Sequence, residues 1–348
     1  MMRATMRKMA RRAAVAVIAA LSMPFAAHAQ SVADFYKGKR IDLVTSGSVG
    51  GGYDLYARLL ARHMPRHIPG NPTITVKNMV GAEGVKAANF LYNIAPQDGS
   101  VIGGLQRNNA VMRLYDPNNA SIQFDPRKFH WLGSPQQEVG LFVIATKSGV
   151  RTFEDLKTHE VTVSSTARTA PTSVYPRLLN ALYGARIKVI EGYDGSQSAL
   201  LAIERGEVDG NVSGGSSAAF RARFNPWIKD GKANVIVQMG MERDAEYPNA
   251  PTALEIVGDP DSKRLLQIAF TEQVMGRPFL IPPGVPADRV NALRAAFDAT
   301  MKDKVMLDEA AKQKVEIDPV SGEQIDALLE HAFTTPPDVL AKLRELVR

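Results

Sequence analysis

Short apolar runs alternate with amphipathic stretches through the first third of the chain. Residues 41–45, 73–77 and 100–105 are apolar or alternate with polar positions, which predicts three strands. Between them, apolar residues recur three and four positions apart over 55–64 and 85–94, which predicts two helices. This order of strand, helix, strand, helix, strand is typical of a sheet with parallel strands and covering helices.

The same pattern returns further along the chain. Its predicted strands are 141–145, 161–164, 187–190 and 235–239, and a further apolar run, 278–281, leads into the turn 282–286. Its predicted helices are 174–183, 198–205, 288–302, 305–314 and 337–348.

Two α/β regions follow each other without a low-complexity linker between them. We therefore expect strands to cross directly from one to the other, as in a hinged clamshell. The predicted fold class is α/β with two lobes, each a mainly parallel sheet covered by helices, and a cleft between them. We assign residues 30–133 to lobe 1, 134–255 to lobe 2, and the helical 256–348 to lobe 1 again.

The first 29 residues have the organisation of a secretory signal peptide. A basic start is followed by an uncharged run, 13–27, and by Ala27-His28-Ala29, a small-x-small cleavage site. We predict cleavage after Ala29 and a location in a bacterial periplasm. Five of the 42 basic residues lie in this segment, which leaves 37 basic against 36 acidic residues.

Charge and composition exclude several classes of function. A nearly neutral mature chain has no basic face for nucleic acid. The chain has no cysteine, so it has neither a disulfide framework nor a thiolate nucleophile. Past residue 29, no apolar run is long enough for a membrane span. Common hydrolase and metalloprotease motifs are absent from the sequence, so we predict no catalytic residues and no enzyme.

Two further motifs are weak. His63 and His67 have the spacing of metal ligands on a helix, but Pro65 between them favours two solvated histidines. The turn 47–52 has the glycine spacing of a phosphate loop, but Tyr53 and Asp54 stand where lysine and a hydroxyl residue are needed. We therefore predict neither a metal nor a cofactor.

The glycine-rich turn after the first strand still has a chemical meaning. Glycines 50–52 bring backbone N–H groups to the start of a helix, where the helix dipole favours an anion such as a carboxylate. Ser46, Ser48 and Tyr53 add hydroxyl groups. Asp54 is either a helix cap or a ligand contact, and the sequence leaves both open.

A second turn, 164–173, lies between a strand and a helix of the other region. It carries six hydroxyl residues and Arg168, which could hold a carboxylate with two hydrogen bonds or lie in solvent. One such turn in each lobe would hold a molecule with a carboxylate at each end, or with one carboxylate and a polar tail.

Five segments in order resemble one family, the Bug-type periplasmic receptors of tripartite tricarboxylate transporters. They are the opening strand and glycine loop at 41–58, VKNMVGAEG at 76–84, PQDGS at 96–100, GYDGSQSALLAIERGEVD at 192–209 and PPGVP at 282–286. The resemblance implies a type II-like periplasmic-binding-protein clamshell (a Venus flytrap). It also implies a monomeric receptor that binds a small carboxylate-type solute in the cleft. Such a receptor delivers its solute to a permease made of a large and a small subunit.

The resemblance and the two turns together give thirteen candidate ligand-binding residues. They are Ser46, Gly47, Ser48, Gly51, Tyr53, Asp54, Arg107, Ser164, Thr166, Arg168, Thr169, Tyr193 and Asp194.

The sequence departs from the family pattern at the Tyr-x-Gly turn. Asp194 stands where a lysine is common, and its negative charge disfavours a second carboxylate unless Arg168 or Arg107 offsets it. Two other functions stay open. One is a periplasmic receptor for sensing, and the other is a periplasmic enzyme that uses Asp54 and Asp194 as general acid and base.

Overall fold

The computed structural model describes residues 31–168, 170–193, 196–214 and 218–346. The strands are β1 (Arg40–Thr45), β2 (Thr73–Asn78), β3 (Val101–Gly104), β4 (His130–Ser134), β5 (Gly140–Ala145), β6 (Val161–Ser164), β7 (Ile187–Ile190), β8 (Gly210–Gly214), β9 (Ala233–Met239), β10 (Phe279–Ile281) and β11 (Val320–Ser321). The helices are α1 (Val32–Tyr36), α2 (Gly52–His63), α3 (Val85–Asn93), α4 (Met112–Tyr115), α5 (Pro171–Tyr183), α6 (Ser196–Arg205), α7 (Ala218–Lys229), α8 (Ala253–Ile256), α9 (Pro260–Val274), α10 (Ala287–Met301), α11 (Lys304–Lys312), α12 (Gly322–Phe333) and α13 (Pro337–Leu346).

The first sheet has six strands in the order β11-β4-β10-β3-β1-β2. Strand β1 is parallel to β2 and β3, and β10 returns from late in the chain to lie antiparallel between β3 and β4. Every residue of β3 is buried, and a Cβ on Gly103 would lie 2.4 Å from Leu91 Cδ1. Glycine there lets α3 pack closely on the sheet.

The second sheet has five strands in the order β7-β6-β8-β5-β9. Its strand β5 is buried at all six positions, as expected for a strand covered on both faces. Helix α5 begins with Pro171 in its first turn and ends at Gly184, whose φ of 70° gives the left-handed cap that glycine favours.

The predicted α/β class with two lobes is confirmed, with one difference. Both sheets are mixed rather than mainly parallel: β6 is parallel to β7 and β8, while β5 is antiparallel to β8 and β9. Strands β5 and β10 are the first strands after the chain passes between the sheets, and both run against their neighbours. The sequence pattern shows strands but not the direction in which they enter a sheet.

Two neighbouring segments carry the chain between the sheets. The N–H of Glu138 donates to the carbonyl of Gln273 (2.8 Å), and the N–H of Gly276 donates to the carbonyl of Gln136 (3.0 Å). Helix α9 leads into the second segment and packs against both α5 and α12. The lobes are therefore joined directly, by a pair of hydrogen-bonded segments and one shared helix.

Candidate functional site

The glycine-rich turn follows β1 at the carboxyl end of the first sheet. Ser46 is buried there, and its N–H donates to the carbonyl of Gly104 (2.9 Å). Its hydroxyl oxygen accepts the N–H of Gln106 (2.9 Å). Ser46 thus holds the start of the turn against the end of β3, and its side chain belongs to the framework of the site.

The turn itself uses part of its own N–H groups. Gly50, at a φ of 77°, donates its N–H to Asp54 Oδ2 (2.9 Å), and Gly51 donates to the carbonyl of Ser48 (3.0 Å). Helix α2 begins at Gly52, and helix geometry leaves the N–H groups of its first residues without an intrahelical carbonyl. The donors available to an anion are therefore those of Gly52 and Tyr53 rather than those of Gly50 and Gly51.

Asp54 holds the turn in shape from inside. Its carboxylate is only 2% exposed and also accepts from Arg58 Nε (2.8 Å) and Asn78 Nδ2 (2.8 Å). Burial raises the pKa of Asp54, but the hydrogen bonds from Arg58, Gly50 and Asn78 outweigh it, so that the pKa is lowered. Asp54 is not the helix cap, because the N-cap residue of α2 is Gly51; its carboxylate holds the preceding turn by accepting the N–H of Gly50. A contact between Asp54 and a ligand stays a prediction.

Two arginines lie beside the start of α2. The Cζ atom of Arg277 is 4.6 Å from the centre of the Tyr53 ring, and its Nη2 would be 3.4 Å from a Cβ on Gly52. The backbone N–H of Arg107 donates to the Tyr53 hydroxyl (3.2 Å). Positive charge is thus added to the end of the helix that already favours an anion.

Both arginines share a single carboxylate. Glu138, which is 5% exposed, forms an ion pair with Arg107 and another with Arg277 (2.6 Å, Nη2 to Oε1). These three groups carry one surplus positive charge in a place with little water. An anion bound beside them would balance it.

A second buried acid, Glu272 of α9, lies behind this group. It accepts the hydroxyl of Tyr175 (2.9 Å) from lobe 2. Burial raises the pKa of Glu272 to about 7, against the lowering effects of Arg107 and the Tyr175 hydrogen bond. Glu272 therefore titrates near neutral pH at a place where both lobes meet.

The lobes also meet at Glu83. Its Oε1 accepts the hydroxyl of Thr166 from lobe 2 (3.5 Å), and its Oε2 accepts Asn108 Nδ2 from lobe 1 (3.5 Å). Arg107, next to Asn108, contacts Tyr53. A continuous series of contacts therefore leads from the glycine-rich turn to the second predicted turn.

The lobe-2 turn is fixed by its own hydroxyl groups. Ser164 is buried, donates to the carbonyl of Ala199 (3.2 Å) and accepts Asn211 Nδ2 (3.0 Å). The N–H of Tyr193 donates to the carbonyl of Ser165 (3.2 Å). Ser164 and Tyr193 thus hold the turn in place.

The remaining candidate residues differ in where they lie. Tyr53, Arg107 and Thr166 lie along the contacts that join the turns. Gly47, Ser48 and Gly51 shape the first turn, and Arg168 is exposed on the second. Thr169, Asp194 and the predicted signal peptide lie outside the described residues.

The sequence interpretation missed Glu83, Glu138 and Arg277. Glu138 and Arg277 are 139 positions apart and meet only because the two crossing segments are paired, so no local pattern points to them. Glu83 lies in the glycine-flanked segment 81–84. An acidic residue between glycines is a feature that could have been recognised from the sequence alone.

The two histidines near the end of α2 were expected to be solvated, and that expectation is wrong. His63 Nε2 lies 2.5 Å from Glu309 Oε2, and His67 Nε2 lies 2.8 Å from Asp303 Oδ2. Each pairs with a carboxylate of or beside α11. Within the described ranges, no three or more histidine and acidic side chains form a group that could hold a metal ion.

No protein-family model matches the chain. A curated relative, the UPF0065 protein of the gbd 5′ region in Cupriavidus necator, is 28% identical over 252 residues. The match covers 70% of this chain and 71% of that protein.

Solved structures match over nearly the whole length. A TctC solute-binding protein from Polaromonas superposes with a TM-score of 0.66 at 18% identity, over 90% of this chain and 99% of that one. The fold is that of the TctC and Bug binding proteins. The periplasmic binding protein BugD matches with a TM-score of 0.63 at 18% identity, over 89% and 98% of the two chains. MatC from Rhodopseudomonas palustris with bound malate matches with a TM-score of 0.61 at 19% identity, over 89% and 99%. The resemblance noted in the sequence is confirmed.

In this fold, the contact between Glu83 and Thr166 joins lobe 1 to the second predicted turn. None of the helices in the described ranges combines the length and the apolar character that a membrane crossing requires.

Proposed function

We propose that the protein is a periplasmic solute-binding receptor that captures a small carboxylate in the cleft between its lobes. It delivers this solute to a membrane permease of the tripartite tricarboxylate type. One observation carries the proposal: the start of α2 at Gly52 lies beside Arg277, so that helix N–H groups and a guanidinium converge on one place. Such a place suits the carboxylate of a small organic acid.

The comparisons support a binding protein rather than an enzyme. The matching structures are solute-binding proteins, and one of them holds malate. The acid–base pair that an enzyme would need includes Asp54, whose carboxylate is already bound to Gly50, Arg58 and Asn78. We therefore infer binding without conversion, by a monomer, with the large and small permease subunits as partners.

Closure follows from contacts that differ between the open and closed lobes. The carboxylate binds to lobe 1 at the first turn, and its remainder reaches Thr166 and Arg168 on lobe 2. A ligand moves such an equilibrium from mostly open to mostly closed when it binds the closed form by about 5 kcal/mol more strongly. A few charge-assisted hydrogen bonds, at about 1.5–3 kcal/mol each, supply that difference.

Export is part of the proposal. Residues 1–29 act as a signal peptide, and the mature protein begins after Ala29. Expression of the full chain in a bacterium and mass spectrometry of its periplasmic fraction test this directly. A mass that starts elsewhere, or retention in the membrane, contradicts it.

The binding function is tested by a thermal-shift screen of the mature protein against carboxylates, sugars and amides, followed by calorimetry. A ligand at 100 times its dissociation constant adds about 2.7 kcal/mol to stability and raises the melting temperature. We expect a carboxylate to do so and to be recovered unchanged by mass spectrometry. Stabilisation by neutral sugars alone contradicts the ligand class, and recovery of a converted product contradicts the absence of catalysis.

A further inference from the structure

Among the described residues, the carboxyl group of Glu272 has a single hydrogen-bond partner. The side chain is 2% exposed, and its Oε1 accepts the hydroxyl of Tyr175 (2.9 Å), while its Oε2 is buried without a partner. The hydroxyl of Tyr115, whose pKa is raised by burial and by the charge of Glu272, is also buried without a partner. Such surroundings favour the protonated carboxyl group, because the charged form has lost its hydration and has gained one hydrogen bond only.

Arg107 is the cation that favours the ionised form of Glu272. Helices α5, α8 and α12 and the turn 107–110 all pack against α9, which carries Glu272. The groups of these and neighbouring elements that change the pKa of Glu272 are Arg107 and the Tyr175 hydroxyl, which lower it, and Glu83, which raises it together with burial. The protonation of Glu272 therefore depends on how far Arg107 is neutralised by other anions.

Arg107 also lies beside the place where we expect the carboxylate of a ligand. Its N–H donates to the hydroxyl of Tyr53 (3.2 Å) in the first turn of α2. Its guanidinium forms an ion pair with Glu138, which also pairs with Arg277 at the start of α2. A carboxylate bound there adds a negative charge close to Arg107 and weakens its effect on the buried acid. Glu272 then holds its proton more tightly.

From this arrangement we infer that the protein takes up a proton at Glu272 when it binds a carboxylate. The solute and the proton are bound together and are released together. Binding is strongest in acid, where Glu272 already holds a proton. It weakens as the pH rises above neutrality, because the carboxylate then has to be bound close to a second, buried negative charge. The inference rests on the proposed function and adds a proton to the ligand that the receptor binds.

Calorimetry counts this proton directly. The mature wild type is titrated with malate, succinate and butanoate, and with the carboxylate that raises the melting temperature most in the screen above. Each titration is run at several pH values from 6 to 9, where these probes are ionised, in two buffers with different ionisation enthalpies. The difference between the two heats gives the number of protons taken up for each carboxylate bound.

Three variants complete the experiment. Glu272→Gln cannot titrate, so it removes the proton site. Tyr175→Phe removes the hydroxyl that lowers the pKa of Glu272 and keeps the ring. Glu154→Gln, an exposed acid of lobe 2, is the control for the loss of one negative charge.

We expect the wild type to take up about half a proton per carboxylate near pH 7.5, and its affinity to fall up to about tenfold between pH 6 and pH 9. These values follow if the bound carboxylate makes Glu272 hold its proton about tenfold more tightly. Glu272→Gln should take up no proton, and its affinity should not change with pH. Tyr175→Phe should take up its proton at a higher pH than the wild type, and Glu154→Gln should match the wild type.

A wild type that binds a carboxylate without proton uptake overturns the inference and leaves the receptor function intact. The same holds for a folded Glu272→Gln variant that takes up as many protons as the wild type. If Glu272→Gln does not fold, uptake by Tyr175→Phe at the pH of the wild type overturns it instead. If no carboxylate of the screen binds to the wild type, the proposed function fails, and the inference fails with it.

Discussion

The guanidinium of Arg277 stacks on the ring of Tyr53, with Cζ 4.6 Å from the ring centre, while its Nη2 forms an ion pair with Glu138. One arginine thus joins a crossing segment between the lobes to the start of α2. Stacking on the ring and pairing with the carboxylate together fix the plane of the guanidinium. A flexible ammonium cannot satisfy both contacts at once.

Replacement of Arg277 should weaken ligand binding in two steps. Arg277→Lys keeps the charge but loses the fixed plane, and Arg277→Gln loses the charge as well. We expect affinity for the best carboxylate ligand to fall about tenfold in the first variant and up to about a hundredfold in the second. Calorimetry measures both. Arg243→Gln, which breaks an exposed pair with Glu255, serves as the control. Equal affinity in all three variants would remove Arg277 from the site.

Alanine at Gly50, with alanine at Gly149 as the control, tests the role of the first turn in ligand binding. Both have a positive φ, 77° and 83°, and a Cβ at either would meet no atom within 4 Å. Alanine at either position should therefore cost about 1 kcal/mol of stability through backbone strain alone. We expect Gly50→Ala to weaken carboxylate binding as well, because the turn that leads to Gly52 shifts. Urea denaturation and calorimetry separate the two effects, and a loss of affinity in Gly149→Ala would contradict this reasoning.

Removal of the Asp54 side chain should destabilise the protein. Asp54→Ala leaves Gly50, Arg58 and Asn78 without their acceptor, and we expect a loss of about 2–3 kcal/mol in urea denaturation at pH 7. The pKa of Asp54 is lowered in the fold, so its contribution is present above its unfolded pKa and is lost as the pH falls through the folded pKa. The difference between wild type and variant should therefore shrink in acid. Asp230→Ala, at an exposed pair with Lys232, should change stability little.

Glu272 should make the protein less stable as the pH rises towards 7. Its pKa in the folded protein, about 7, is above its ordinary value. At pH values between these two, the folded state therefore holds more protons than the unfolded state. Stability from this group is full in acid and is lost as the pH rises through the folded pKa, by up to about 3 kcal/mol. Glu272→Gln stays neutral at every pH. Urea denaturation at pH 5, 6, 7 and 8 should show that the free energy of unfolding of the variant increases relative to that of the wild type as the pH rises. A difference that stays constant with pH would contradict this.

The sequence predicts the strands well, because a short apolar run bounded by turn residues is typical of a buried strand. The predicted strands at 161–164 and 187–190 have the same bounds as β6 and β7, and the glycine-rich turn lies between β1 and α2 as expected. Helix α9 was not predicted. Its residues 268–273 are all buried, so the second half of the helix lacks the polar stripe that marks a surface helix.

The charged centre of the site was beyond prediction for a different reason. Glu138 and Arg277 lie outside every motif, and their pairing depends on two segments that meet only in the folded chain. Arg107 was predicted as an offset for negative charge, and its ion pair with Glu138 was not. Secondary-structure propensity and motif spacing describe residues that are close together in the sequence, and the members of this cluster are far apart in it.

Strand β10 lies between β3 and β4, so the centre of the first sheet is filled only by residues 279–281, and its edge strand β11 comes later still. Until the residues after α9 have been synthesised, the first sheet lacks one of its central strands. The first sheet therefore cannot form its full set of strand pairs until most of the polypeptide has been made.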